Sequence, residues 1–386
     1  MKRTRSKNQR VFISFSLFLL FTSMSVANGT DRTFTALTLP LISSTAGGLS
    51  AAITTSGYSL STLTGISITG TLDARDFVTL RDNMPLLSSV DLSEASIVAY
   101  SGNAGTNINI YDYPANELPR FAFCTASWVG KATLASVVIP SSVTSVGTLA
   151  FYGCHNLTSV TIPTSVVSIG SSAFTYCNGL TSVTIPFSVT AIGSDAFNGC
   201  TGLTDIVIPS SVKSIGDQAF YLCTGLTSAS IPSSVISIGA RAFYACNKLI
   251  SLYSYSSTPV YLSTGSDVFN SVPGNCILHV PLGSKAAYLA AAQWNVFNIV
   301  EDILSSGVNS TTKQTLNANV LNRQVIITGV GVGEVITICT LQGSPIYCKP
   351  ALSTTVTVNL PMQGVFIVKS SVRAVKVINP PVGANL

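Results

Sequence analysis

Apolar residues along the chain follow a repeating sentence rather than a helical or a long-strand period. One unit reads Leu157-x-x-Val160-x-Ile162-Pro163, then Val166, Ile169-Gly170, Ala173-Phe174 and Cys177. Pro140, Pro163, Pro186, Pro209 and Pro232 recur without a slip, as do Gly147 to Gly239, Phe151 to Phe243 and Cys154 to Cys246 in the same register. Four columns in phase mean an internal repeat of 23 residues. Val160 and Ile162 flank Thr161, so the unit predicts a short strand with branched residues inward and a hydroxyl outward. Pro163 ends the strand because it cannot donate to a ladder. The Val-x-x-Ile-Gly and Ala-Phe positions predict a return limb, with Gly170 at a tight corner and Phe174 filling the interior. A single such coil cannot bury its own ends, so stability must come from stacking on neighbours.

Weaker copies begin at Leu63 and Leu87 upstream and at Leu249 and Leu278 downstream. The expected organisation is a cap over 28–60 and a solenoid over 61–301 with an expanded coil at 93–133. A terminal cap at 276–300 follows, in which Tyr288, Trp294, Val296, Phe297 and Ile299 form an aromatic lid. A linker at 302–312 leads to a module at 313–386. There, short alternating runs from Val325 to Ile378, separated by Gly, Pro and Asn, predict a small antiparallel β-sandwich.

The Leu-x-x-Val-x-Ile opening is the leucine-rich-repeat strand pattern. The units at 157–177, 180–200 and 203–223 closely resemble the BspA-type leucine-rich repeats of bacterial surface proteins, over roughly residues 60 to 300. The resemblance implies an α/β-type repeat solenoid of short parallel strands. It also implies a secreted or surface-displayed protein that adheres to a host matrix or cell-surface protein, a glycan or another cell. The run from Leu360 to Val377 is similar to C-terminal sorting domains of the type IX secretion system, which implies export to the outer surface of a Gram-negative bacterium; the residues after Pro380 depart from that pattern. A plain sandwich stalk or second binding domain is the other reading of this module.

Composition narrows the function classes. Only 9% of residues are charged, against roughly 25% in ordinary domains, while 47% are apolar. The net charge of +5 lies in the first ten residues, in Lys2, Arg3, Arg5, Lys7 and Arg10; the remainder balances at 15 basic against 15 acidic groups. No basic stripe is left to displace counterions from a phosphate backbone, so nucleic acid is not an expected partner. The same basic start, followed by apolar Val11 to Phe21 and small residues at Ser25 to Ala27, predicts a signal peptide over 1–27. Two histidines and 15 carboxylates leave few groups for acid, base or metal chemistry, and no cofactor or enzyme activity is expected.

Equivalent residues in stacked coils lie about 4.8 Å apart, but parallel side chains seldom reach disulfide geometry. The Cys154 to Cys246 column is therefore expected to be buried free thiols. Cys339 and Cys348 are expected to face each other across a hairpin with its tip at Gly343-Ser344, where a cross-strand disulfide would fit. Gly329-Val330-Gly331-Val332-Gly333 lacks the spacing of a phosphate loop and reads as a connection between strands. His155 and His279 read as surface or packing residues. The expected contact surface is the outward strand face, carrying Thr161, Thr184, Ser230 and Tyr253 with Asp205 at its flank, flat and hydroxyl-rich. A loop with Tyr111 and Tyr113 is its rival, since Tyr with Asn and Gly suits adaptable binding. The function expected is adhesion or recognition without catalysis; the alternative is a structural spacer or cell-cell contact protein with no specific ligand.

Overall fold

The computed structural model describes residues 39–303, except 108 and 264, and the strands of the C-terminal module between 317 and 379. The expected signal peptide, the linker after residue 303 and the Gly329 to Gly333 segment lie outside the described residues. The fold is a parallel-strand solenoid of 23-residue repeats, followed by small antiparallel sheets.

Each repeat opens on a short outward strand. Leu41–Ser44, Gly65–Leu72, Ser89–Asp91, Ser136–Val138 and Ser159–Thr161 pair in parallel, and Asp205–Val207, Ser228–Ile231, Ser251–Ser254, Ile277–Pro281 and Asn298–Ile303 form a second parallel run. The register is one repeat per step: Val160 stands against Val137, and Ala229 against Ile206 and Leu252. Between the two runs the unit at 181–186 carries the same alternation, with Ile185 buried, but forms no strand ladder.

The return limb is more regular than the sequence suggests. Glu117–Leu118, Ser145–Val146, Ser168–Ile169, Ala191–Ile192, Ser214–Ile215 and Ser237–Ile238 form an unbroken parallel sheet of two-residue strands. Helices occur at the ends, at Leu49–Thr55, Ala74–Val78 and Lys285–Ala290, and none among the described residues lies within the 23-residue repeats.

Gly170 does not make the tight corner expected of it. Its φ is not in the left-handed region; instead a Cβ there would fall 2.7 Å from the Val146 carbonyl oxygen and 2.8 Å from Thr148 N. The column is glycine because successive coils touch backbone to backbone. The left-handed corners fall on other columns: Leu149, Ser172, Asp195, Gln218 and Arg241 all have φ between 54° and 60°. Two opposite outcomes follow. Gly170→Ala is expected to cost about 1–3 kcal/mol through overpacking. Exposed Arg241→Gly should gain roughly 0.5–1 kcal/mol, the left-handed penalty less the entropy of glycine. Urea midpoints of the two variants check both signs.

The interior is a stack of identical residues. Phe123, Phe151, Phe174, Phe197, Phe220, Phe243 and Phe269 lie ring on ring with centroids 5.1–5.8 Å apart. Ser165, Ser188, Ser211 and Ser234 donate to the carbonyl oxygens of Val143, Val166, Val189 and Val212 in the preceding coil, at 2.5–2.8 Å. At the N-terminal end, the buried Asp76 carboxylate accepts from Gly47 N at 2.7 Å, Leu49 N at 2.9 Å and Asp73 N at 2.8 Å, tying the first helix to the second. At the other end Trp294 and Tyr288 are buried over Phe269, while Val296 of the expected lid is exposed.

In the C-terminal module, Asn317–Leu321, Gln324–Thr328 and Thr355–Asn359 form one antiparallel sheet, and Pro345–Pro350, Val335–Thr340, Gly364–Lys369 and Ala374–Asn379 form another. The expected hairpin is present, but its register shifts between Ile338 and Cys339. The regular register up to Ile338 already sets Cys348 opposite Thr337, and the shift sets Cys339 opposite Pro345. The two cysteines are not register partners in this hairpin.

Candidate functional site: the outward strand face

Strand alternation places Val138, Thr161, Val207, Ser230 and Tyr253 in one outward column, with Ser136, Ser159, Asp205, Ser228 and Ser251 beside it. Thr161 and Thr184 are exposed, although Thr184 lies in the unit without a ladder. Asp205 and Tyr253 are half-buried. Ser230 is buried at 4% exposure, which removes it from the contact residues expected on this face.

The column continues beyond Tyr253. His279 is its register partner on the next strand, and Val300 follows. The Tyr253 and His279 rings stack with centroids 4.4 Å apart and planes 12° from parallel. His279 Nδ1 lies 2.6 Å from Asp302 Oδ2. A carboxylate accepts, so Nδ1 carries the proton in this pair. Asp302 reaches this position because the register shifts after Val280 and leaves it outside the pairing. Neighbouring Tyr255 is half-buried, and burial pushes its phenol well above the usual range. A face of Ser, Thr and Val, with Asp205 at its flank, thus gains two stacked rings and a further carboxylate near its C-terminal end. Sequence reasoning missed His279 and Asp302; the signal for His279 was available in Leu278-x-Val280, whose alternation sets it outward beside Tyr253.

The rival loop divides. Tyr111 is exposed, but Tyr113 is buried, its hydroxyl accepting from Asn107 N at 2.9 Å and donating to Asn107 O at 3.1 Å. Tyr113 holds the loop in shape rather than lying on the contact surface expected of it. Arg81 anchors the same segment, donating to the carbonyl oxygens of Thr106, Phe121 and Cys124.

Cys154, Cys177, Cys200, Cys223 and Cys246 are buried free thiols. The Cys177, Cys200, Cys223 and Cys246 thiols donate to the Phe carbonyl of the preceding coil at 3.1–3.3 Å. Burial pushes the thiols of Cys154, Cys200 and Cys246 up to about 12. A nucleophile or soft-metal ligand needs the thiolate, so the column is structural. Native protein should leave these five unalkylated by iodoacetamide at neutral pH, and label them on unfolding, as peptide mass spectrometry would read. Among the described residues no three His, Cys, Asp or Glu groups converge to hold a metal ion, and no helix is long and apolar enough to cross a membrane.

Residues 121–252 match, in six copies, the family model described as BspA type Leucine rich repeat region. The chain is similar to a leucine rich repeat protein of T. pallidum at 34% identity, over 38% of this chain and 65% of that one, with a TM-score of 0.33. It thus spans just under two thirds of that protein's length. A leucine rich cell surface protein from Faecalibacterium prausnitzii aligns at 20% identity, covering 68% of this chain and 82% of that one, with a TM-score of 0.27. A leucine-rich repeat protein from Bacteroides ovatus aligns at 15% identity over 69% and 76% of the two chains, with a TM-score of 0.27. No curated protein matches the chain.

Proposed function

We propose that this chain is a secreted, surface-displayed recognition protein that adheres, without catalysis, to a host matrix protein, a cell-surface protein or glycan, or another cell. The cluster of Tyr253, His279 and Asp302 carries the reading, because it concentrates ring area and charge at one end of a flat hydroxyl face. Such a combination is what dominates binding energy in protein interfaces, where a few aromatic and charged anchors sit among near-neutral contacts. The repeat match at 121–252 supports a binding scaffold, the basic-apolar start supports secretion, and the strand-rich C-terminal module supports an export or attachment role.

The test is a screen of the full chain against immobilised matrix proteins and a glycan array, with a Tyr253→Ala, His279→Ala variant alongside. The variant is expected to lose at least about 2 kcal/mol of affinity, roughly 30-fold, while keeping its circular dichroism spectrum. A chain that binds none of these surfaces is the structural spacer instead.

A further inference from the structure

A second surface lies away from the strand face, on the edge where each return limb turns toward the next coil. The span from Phe123 to Leu134 is five residues longer than that from Phe151 to Leu157. The extra residues fold into a tight hairpin: Cys124 pairs with Gly130, Thr125 N donates to Val129 O at 2.9 Å, and Trp128 N donates to Thr125 O at 3.0 Å. Its tip holds Trp128 and Val129 in solvent, at 56% and 61% exposure. Gly130 lets the hairpin lie on the neighbouring coil, since a Cβ there would fall 2.3 Å from the Tyr152 carbonyl oxygen. Trp128 thereby meets Tyr152 edge to face, with centroids 5.3 Å apart, and Tyr152 meets Tyr176 in the same way at 5.6 Å.

Left-handed corners recur along this edge, at Leu222 and Ala245 in the column of Tyr176. Trp128 and Tyr176 have φ of 64° and 60°, a region costly for any residue with a Cβ. The residues equivalent to Tyr176 in the flanking coils are Gly153 and Gly199, and a Cβ on Gly199 would fall 2.4 Å from Tyr176 Cδ1. The tyrosine therefore stands where glycine would be free of strain, and the next coil clears room for its ring. Beside the strip, His155 Nδ1 lies 3.0 Å from the Tyr176 carbonyl oxygen and 3.5 Å from the Asn178 amide.

We infer that Trp128, Tyr152 and Tyr176 form a binding strip for a neutral polysaccharide. Its sugar rings lay their C–H faces on the exposed aromatic rings, and their hydroxyls meet the imidazole and amide groups of His155 and Asn178. The ligand class follows from the surface. The strip is a shallow stair of ring faces and edges with polar groups at its margin, which suits a flat ring rimmed by hydroxyls. Its bordering groups, the His155 imidazole and the Asn178 amide, are hydrogen-bonding partners of the kind sugar hydroxyls need.

The chain contains two tryptophans, and the other, Trp294, is buried, so binding-induced change in tryptophan emission reports on Trp128. The experiment is native gel electrophoresis of the full chain through galactomannan, xyloglucan, mixed-linkage β-glucan and dextran, with emission titrations against the same polymers. At least one polymer is expected to retard the protein and shift its emission. A Trp128→Gly, Tyr176→Gly variant, whose glycines suit the φ values at both sites, should keep its melting temperature and bind at least tenfold more weakly. Tyr253→Ala should bind as wild type does, which separates this strip from the strand face. Failure of all four polymers to retard the wild type, or equal retardation of the glycine variant, overturns the inference. Sedimentation of the wild type as a dimer and the variant as a monomer also overturns it, by showing that a second copy covers the rings.

Discussion

Phe197→Ala is expected to cost about 3–5 kcal/mol and to split the unfolding of the solenoid into two transitions. Phe197 is fully buried, with rings above and below at 5.2 Å and 5.5 Å and planes within 4° of parallel. Truncation removes both stacking contacts and leaves a cavity that the coil cannot close, because the backbones of successive coils are already in contact at Gly193. Stability in a repeat array is the sum of each unit and its two interfaces. Weakening both interfaces of a central coil therefore uncouples the array on either side, where an end coil would merely fray. The lesion also sits in the unit whose opening at 181–186 forms no strand ladder to carry the load. Phe197→Leu keeps most of the volume, should cost under about 1.5 kcal/mol and should retain a single transition. Urea titration followed by far-ultraviolet circular dichroism distinguishes the two; equal behaviour of the alanine and leucine variants would contradict the stacked-core account.

Trp294→Ala should have an effect of similar size but a different character. Trp294 closes the last coil: it is fully buried, packs on Phe269 at 4.8 Å and meets Tyr288 edge to face at 5.4 Å. Its Nε1 donates to the Val260 carbonyl at 2.8 Å. Loss of the ring costs about 3–5 kcal/mol of packing and leaves that carbonyl without its donor. It also uncovers the end of the phenylalanine stack beside the terminal strand Asn298–Ile303, an open edge that invites pairing with another chain. The expected readout is a lowered first unfolding transition together with light scattering that rises with protein concentration. Phe197→Ala, whose lesion is internal, should show less of this association.

Most of the architecture was legible in the spacing of apolar residues, because a coil with a fixed number of residues must return each side chain to the same depth. The strand column, the phenylalanine stack and the buried thiols all follow from that. What spacing could not reveal depends on backbone detail between the apolar positions. Gly170 reads as a corner on composition, yet its reason is the approach of Val146 from the neighbouring coil. The true corners fall on Leu149, Ser172, Asp195, Gln218 and Arg241, residue types with no common preference for a left-handed φ, so no sequence signal marks them. The Ser165 to Ser234 column was legible as a repeat, but its serines were free to be read as solvent-facing until their donors met the preceding coil.

The candidate site was legible in part, and for a related reason. Alternation identifies which residues point outward, and so finds Tyr253; it says nothing of what covers them, and so keeps Ser230 on a surface from which it is buried. Tyr113 was chosen for its composition, but a phenol among backbone amides satisfies them, and its hydroxyl is spent inside the loop. Asp302 joins His279 through a one-residue shift in strand register that no pattern of hydrophobicity encodes.

The recognition account is tested most directly by hydrogen exchange of the full chain, alone and saturated with a matrix protein or glycan that the screen finds to bind. The account predicts added protection confined to Ser251–Ser254, Ile277–Pro281 and the strand carrying Asp302, with the two-residue strands of the return limb unchanged. Protection confined to the return limb or to the C-terminal module, with the Tyr253 and His279 strands exchanging as in the free chain, would contradict it.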